Sequence, residues 1–460
     1  KARRLLAELS AQRRSAAADP DRELADTGQQ YTKVLRKRDL VDFDDLVALP
    51  VAILESAPDL AAAYRDRYRW ISVDEYQDID EQQYRLLRQL ASPHGNLTAI
   101  GDPDQSIYRF RGADVGFFLS FRQDFPGAHT VALTRNYRSG AKILTAALRV
   151  ISPTTLVPDR VLRSSDPPAG SRMGMHHAAT EQAEASFVVR TIEQLLGGVS
   201  FHSFDSGRVD STGNARLGFA DFAVLYRTDR QAQAVMDALT KAGLPFQKRS
   251  HDRLADRPGV QPILNELTFA AADGVAQMPV LDRLGHAANV VLDRLPAAER
   301  DEAATEIHAA VELLKPLAGQ CGDDPERFRT ELLLGVEVDT RDPRADQVSL
   351  LTLHAAKGLE FPVVFVVGCE DGLLPLRWPG TSTEDIDAEQ VCEERRLLFV
   401  GMTRAMQHLY LSHAGERVRH GAARTSSRSP FLSDLDATVC EQIGNAAARP
   451  KPREAQLRLL

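Results

Sequence analysis

The chain alternates between two hydrophobic textures. Short apolar runs at 69–73, 97–100, 130–133, 222–228, 348–354 and 363–367 end abruptly in polar residues, as strands buried in a sheet do. Between them, apolar residues recur at intervals of three and four. That spacing predicts helices at 46–54, 80–90, 141–150, 181–196 and 231–242, the last closed by Gly243-Leu-Pro245. Strand and helix in turn predict an α/β fold. Between 251 and 346 the texture changes to Ala- and Leu-rich helical patterns with acidic faces, such as 281–295 and 299–314, and predicts an inserted helical subdomain. The opening, to about residue 41, is Arg- and Ala-rich with helical spacing and reads as a solvated helical face. A Gly- and Ser-rich stretch at 197–218 reads as a surface loop. From Gly415 onward, Arg417, Arg419, Arg424, Arg428 and a Pro-, Arg- and Lys-rich end predict a flexible basic tail.

Bulk properties narrow the class. With 460 residues and 43% hydrophobic content the chain has room for more than one core, and its length suggests roughly three domains. No apolar run approaches the roughly 20 residues of a membrane span, and Lys1-Ala-Arg-Arg lacks the apolar centre of a signal peptide. The expectation is a cytoplasmic protein with no membrane partner. Cys321, Cys369, Cys392 and Cys440 are too widely spaced for a metal-ligand pattern and read as reduced thiols. A net charge of −8 argues against indiscriminate nucleic-acid binding but leaves room for a local basic groove. The first residue is Lys rather than Met, which suggests a trimmed or partial piece of something longer.

The candidate chemistry gathers at the ends of the apolar runs. Asp74 and Glu75 close the 69–73 run, so both carboxylates emerge at the carboxyl end of a strand, where open α/β sheets keep their ligands. Such a pair can hold hydrated Mg²⁺ with one carboxylate and direct water with the other, or it can simply be a polar turn before the next helix. Asp42-Phe-Asp-Asp45 reads as helix capping. In Gly101-Asp-Pro-Asp-Gln-Ser-Ile-Tyr-Arg-Phe-Arg-Gly-Ala113, Gln105 can reach a terminal phosphate. Tyr108 and Phe110 either stack on bases, with Arg109 and Arg111 beside them for phosphates, or anchor the loop to the core. Arg138 has no acidic neighbour in sequence and suits an anion, and Tyr137 offers a flat face for a base. Thr352 and His354 share a strand face, while Lys357, Gly358 and Glu360 form a polar loop between two apolar strands. Arg395 and Arg396 have Glu393 and Glu394 for company and read as solvated pairs. Arg404 lies among Gly401, Met402 and Ala405, so it calls for an anion from elsewhere.

Asp74-Glu-Tyr-Gln-Asp78, the Gly101 to Gly112 loop and Asn136-Tyr-Arg-Ser139 resemble, in order, the middle motifs of the UvrD/Rep/PcrA family of superfamily-one DNA helicases. The stretches around 348–361 and 393–405 are similar to that family's final two motifs, so the likeness spans about 42–412. The resemblance implies two RecA-like lobes, the first incomplete, with a helical subdomain inserted in the second. The segments would be a helical remnant (1–41), the first lobe (42–133), the second lobe (134–250 and 347–414), the short insert (251–346) and the basic tail (415–460). It further implies Asp74 as the Mg²⁺ carboxylate, Glu75 as the base for water, Gln105 as the γ-phosphate sensor and Tyr137 against the adenine. Arg138 and Arg404 become arginine fingers and Glu360 lies near the nucleotide. Tyr108, Phe110, Arg111, Thr352 and His354 become contacts for single-stranded DNA or for single/double-strand junctions. ATP and Mg²⁺ are the implied cofactors, with 3′-to-5′ movement in repair or replication and repair proteins as possible partners.

One departure stands out. A phosphate-binding loop needs Gly-rich amides at a helix start followed by Lys, and Gly-Lys occurs nowhere in the chain. The family places that loop upstream, so the expectation is a carboxyl-terminal portion that binds ATP poorly and hydrolyses it negligibly by itself. Two other readings stay open: a non-motor DNA-binding or scaffolding protein, and the helicase segment of a helicase–nuclease assembly. The Gly-Ile-Gly element by which family members grip duplex DNA is also missing from the insert.

Overall fold

The computed structural model describes residues 2–14, 22–91, 95–165, 171–197, 217–249, 253–269, 278–295, 297–335, 340, 345–377, 387–419 and 422–444. Most of the Gly- and Ser-rich 197–218 stretch lies outside them. Chain contacts divide the molecule into two compact units. The first comprises 1–134, 151–162 and 387–399, and the second 135–150, 163–386 and 400–460. The first unit therefore ends one residue beyond the boundary read from sequence, but it also takes two later segments that had been given to the second lobe.

The first unit contains α1 (Ala2–Arg14), α2 (Arg22–Lys37), α3 (Asp45–Ser56), α4 (Pro58–Arg67), β1 (Ile71–Val73), α5 (Glu81–Ala91), β2 (Leu97–Ala99) and α6 (Gly116–Asp124). β1 and β2 are parallel, Ile71 opposite Leu97 and Val73 opposite Ala99, with α5 as the crossover. Tyr76, fully buried just past β1, packs edge-on against Phe121 of α6 with ring centroids 5.2 Å apart. Asp42 caps as its position suggested, accepting the Asp45 N–H at 2.9 Å. The same acids also hold the opening helices, through Arg13 to Asp42 at 2.8 Å, Arg14 to Asp44 at 2.8 Å and Arg36 to Asp45 at 3.0 Å. The opening is thus not merely a solvated face.

The second unit follows as β3 (Arg135–Asn136), α7 (Ala141–Ile151), β4 (Arg163–Ser164), β5 (Arg172–Thr180), α8 (Glu181–Leu195), β6 (Phe222–Tyr226), α9 (Ala232–Ala242) and β7 (Phe246–Arg249). The insert is α10 (Val260–Phe269), α11 (Val280–Arg294), α12 (Ala297–Cys321) and α13 (Pro325–Leu334). Then come β8 (Val348–Thr352), β9 (Phe361–Val366), α14 (Ala388–Met402), whose residues up to Phe399 count with the first unit, β10 (Ala405–Arg419), β11 (Ala422–Thr425) and β12 (Glu441–Ile443). The main sheet runs β12-β5-β10-β9-β6-β8-β7, parallel throughout, with β11 antiparallel to the end of β10. Thr180 caps α8 by accepting the Ala183 N–H at 3.3 Å, and Gly243 ends α9 at φ 68°, a left-handed geometry that favours glycine. Phe187, Val188 and Ile192 of α8 and Val235 and Leu239 of α9 cover Phe222, Val224, Leu350, Val363 and Phe365 of the sheet. The insert closes its own core around Leu254, Ile263, Leu284, Leu314, Phe328 and Leu332, and the Leu254 N–H meets the Gly335 carbonyl at 3.1 Å where the insert begins and ends. Among the described residues no single helix is long and apolar enough to cross a membrane.

Three expectations fail here. Residues 130–133 alternate as a strand should, yet they pair with no strand among the described residues, and Val131 and Leu133 are about four-fifths exposed at 80% and 81%. The parallel pairing occurs just beyond, between Arg135–Asn136 and Arg163–Ser164. The described residues of the basic tail, 415–419 and 422–444, carry the end of β10, β11 and β12, and Arg417 is buried in an ionic cluster with Glu184 and Glu370. Its partners lie far away in sequence, so composition alone read it as solvated. Arg396, likewise, is buried and donates to the Ser106 carbonyl at 3.0 Å, rather than pairing in solvent with its neighbours.

Candidate functional site

In the first unit, Asp74 and Glu75 emerge exposed at the carboxyl end of β1. Glu75 has φ 52° and ψ 38°, a left-handed backbone that non-glycine residues rarely adopt, and its N–H is held by Asp74 Oδ1 at 2.9 Å. The loop after β2 carries Gln105, whose Nε2 donates to Asp102 Oδ2 at 2.9 Å. Between them lies Gln77, wholly buried, which donates to Glu75 Oε2 and accepts the Asp102 N–H at 3.0 Å. Arg160 grips the other side of this loop, with Nη1 2.8 Å from Asp102 Oδ1 and 2.8 Å from Asp104 Oδ2. Burial opposes ionisation of Asp102, but the Arg160 guanidinium outweighs it and keeps the carboxyl below its ordinary range. Sequence reasoning singled out Asp74, Glu75 and Gln105 and missed Gln77, Asp102 and Arg160. The spacing of Gln77 after the acidic pair was a signal; Arg160, 58 residues from Asp102, left none.

The second unit assembles the basic residues at the amino ends of β9 and β10. Asn136 Oδ1 accepts the N–H groups of Arg138 at 3.1 Å and Ser139 at 2.8 Å, which closes a tight turn. That turn is laced to β10, because Ser139 Oγ donates to the Ala405 carbonyl at 2.7 Å and the Gly140 N–H to the Met406 carbonyl at 2.9 Å. The Phe361 N–H donates to the Arg404 carbonyl at 3.0 Å, so Arg138, Glu360 and Arg404 converge. Arg138 Nε donates to Glu360 Oε2 at 2.6 Å; the acidic partner missing nearby in sequence is supplied from 222 residues away. Arg404 is only 2% exposed and donates to the carbonyls of Val400 at 2.9 Å and Leu359 at 3.4 Å and to Thr403 Oγ1 at 3.1 Å. Tyr137 stands 76% exposed with the Arg135 guanidinium 5.8 Å from its ring centroid.

The candidate DNA contacts divide between the units. In the first, Tyr108 and Phe110 have ring centroids 6.1 Å apart and Arg111 covers both, at 5.4 Å and 5.6 Å. Burial pushes the Tyr108 phenol up to about 12, so it stays neutral, whereas Phe110 is 63% exposed. Tyr108 is thus the more buried of the two rings, and Phe110 presents an exposed face. Arg109 pairs with Asp387 and Glu389 at 2.9 Å each. In the second unit, Thr352 and His354 sit half-buried at the carboxyl end of β8, where Thr352 Oγ1 accepts the Ala355 N–H at 3.2 Å.

Mg²⁺ typically takes one or two protein carboxylates and fills its remaining positions with water and phosphate oxygens. Asp74, exposed at a strand end with a second carboxylate beside it, fits that donor set. Among the described residues no cluster of three or more His, Cys, Asp or Glu could enclose a metal by itself.

The family model described as UvrD/REP helicase N-terminal domain matches residues 1–126, and that of the UvrD-like helicase C-terminal domain matches 131–274 and 326–416. The ATP-dependent DNA helicase PcrA of Leuconostoc citreum is 30% identical over 94% of this chain and 66% of its own length. That of Bacillus subtilis is 30% identical over 92% and 65%, respectively. The chain thus spans just under two thirds of these relatives. A solved structure, the C-terminal domain of a possible DNA helicase from Lactobacillus plantarum WCFS1, matches 67% of the chain at a TM-score of 0.28 and 14% identity.

Proposed function

The chain belongs to the UvrD/REP helicase family, and from that premise we propose that it forms part of an ATP-driven motor that moves 3′-to-5′ along single-stranded DNA in repair or replication. Its similarity to proteins named ATP-dependent DNA helicase supports the ATP and DNA dependence. One structural observation carries the reading: a non-glycine residue, Glu75, is held in left-handed backbone at a strand end beside Asp74, with its carboxylate gripped by a buried amide. Such a backbone persists only where the surrounding structure enforces it, and it clusters at functional sites.

In this reading Asp74 holds Mg²⁺, which when bound neutralises charge on the phosphates. Glu75 orients and deprotonates the attacking water, and Gln105 senses the terminal phosphate. Tyr137 offers its exposed ring to the adenine. Arg138 and Arg404 provide positive charge for the phosphoryl group in transfer, with Glu360 orienting Arg138. Phe110, Tyr108, Arg111, Thr352 and His354 contact single strands or junctions by stacking and backbone contacts that tolerate any sequence, as a translocating motor needs. Because Gly-Lys is missing from these 460 residues, we propose that they bind ATP weakly alone, so hydrolysis is assayed on the complete gene product. Arg138→Ala and Arg404→Ala should each lower DNA-stimulated hydrolysis by about 10³-fold or more, as loss of an arginine finger does. Single-strand affinity, followed by fluorescence anisotropy, should stay close to that of the parent. Full hydrolysis by Arg404→Ala would refute the assignment, and DNA binding without hydrolysis by the parent would favour a scaffolding role.

A further inference from the structure

We propose that Gln77 is a positioning residue that holds the Glu75 carboxylate and ties it, through Asp102, to Gln105. The inference deepens the proposed function and rests on Glu75 being the base. The chemistry leaves no choice of amide orientation, because a carboxylate only accepts and a backbone N–H only donates. Nε2 of Gln77 must therefore face Glu75 and Oε1 must face the Asp102 N–H, 3.0 Å away. Ser106 Oγ donates to the Gln77 carbonyl at 3.2 Å, and a Cβ on Gly101 would lie 2.3 Å from Gln77 Oε1, so the loop leaves space for this amide through a glycine. Beyond Asp102 the string continues to Gln105 Nε2 at 2.9 Å. It is pinned from outside by Arg160, by the Asp104 N–H on Asp102 at 3.1 Å, and by the Leu156 N–H and Thr155 Oγ1 on Asp104 at 2.7 Å and 2.6 Å.

A buried amide that donates to an exposed carboxylate does not serve packing. It removes the rotational freedom of a side chain that must hold water in one direction, the condition for a well-oriented attack. The base and the phosphate-sensing amide become two ends of one string, so displacement of either end is felt at the other.

The test is Gln77→Glu in the complete gene product, read as the pH profile of single-strand-stimulated ATP hydrolysis, with KM for ATP and thermal melting measured alongside. Two carboxylates side by side resist ionising together, so the acid limb of the profile should move to higher pH. kcat near neutrality should fall by at least about tenfold, the scale of a misplaced reacting group, while KM changes little. Gly101→Ala, which displaces the same amide, should reproduce the loss in kcat even if Gln77→Glu does not fold. A parent-like kcat and pH profile for Gln77→Glu or Gly101→Ala, with Glu75→Gln inactive, would overturn this inference alone. Continued hydrolysis by Glu75→Gln would instead overturn the assignment of the base, and this inference with it.

Discussion

Arg417→Met should remove about 3–5 kcal/mol from the stability of the second unit, the range for breaking a buried ion pair from one side. Arg417 is 4% exposed, and its Nη2 lies 2.7 Å from Glu370 Oε1 and in contact with Glu184 Oε2, while Nε sits 3.0 Å from Glu370 Oε1. Burial alone would depress its basicity, yet the two carboxylates override burial and raise it. Without the guanidinium, Glu184 and Glu370 remain buried as like charges. The Ser412 hydroxyl at 2.7 Å, the Gly368 N–H at 2.9 Å and the Ala414 N–H at 2.9 Å still solvate them, which keeps the cost within that range. Urea unfolding followed by far-UV circular dichroism, with hydrogen exchange at the β10 amides, measures the loss. Adding Glu184→Gln and Glu370→Gln to Arg417→Met should recover at least half of it, since neutral amides remove the uncompensated charge. A single variant within about 1 kcal/mol of the parent would refute the view that this cluster is closed by charge.

Two further outcomes follow from the geometry. Phe110→Ala should weaken single-strand binding by about 1–3 kcal/mol, the contribution of one stacked base, and a change below twofold in anisotropy titrations would remove Phe110 from the interface. Burial lowers the basicity of His176, His408 and His413 below the ordinary value of 6.5, with His413 reaching about 4 beside the stacked His177 ring 4.7 Å away. The unfolded chain therefore takes up these protons first. Stability is full above about pH 6.5 and falls as pH drops toward 4, with His413 contributing about 1–2 kcal/mol once its partial exposure is allowed for. Unfolding midpoints of the parent and His413→Asn at pH 7.5 and 5 test this: the variant should lose less on acidification, and equal losses would contradict it.

The α/β class, the helical insert and the acids at the end of β1 were legible in the chain because hydrophobic period and strand-end position are local properties. The recognisable motifs likewise singled out Gln105, Arg138 and Arg404 as candidates before any coordinates. What could not be read was partnership. Arg138 meets Glu360 and Arg417 meets Glu184 and Glu370 only because the sheet order sets β5, β9 and β10 side by side. The alternation at 130–133 failed as a strand because pairing needs a neighbour that pattern alone cannot supply.

By itself, then, the sequence determined which residues have the chemistry for a phosphate, a metal or a base, since side-chain type and local spacing are written into it. The tertiary structure alone decided which of them are held, by whom and how deeply buried. Gln77 became a bridge and Arg417 a core residue through contacts that close only when distant segments fold together, and burial makes each of those contacts costly to lose.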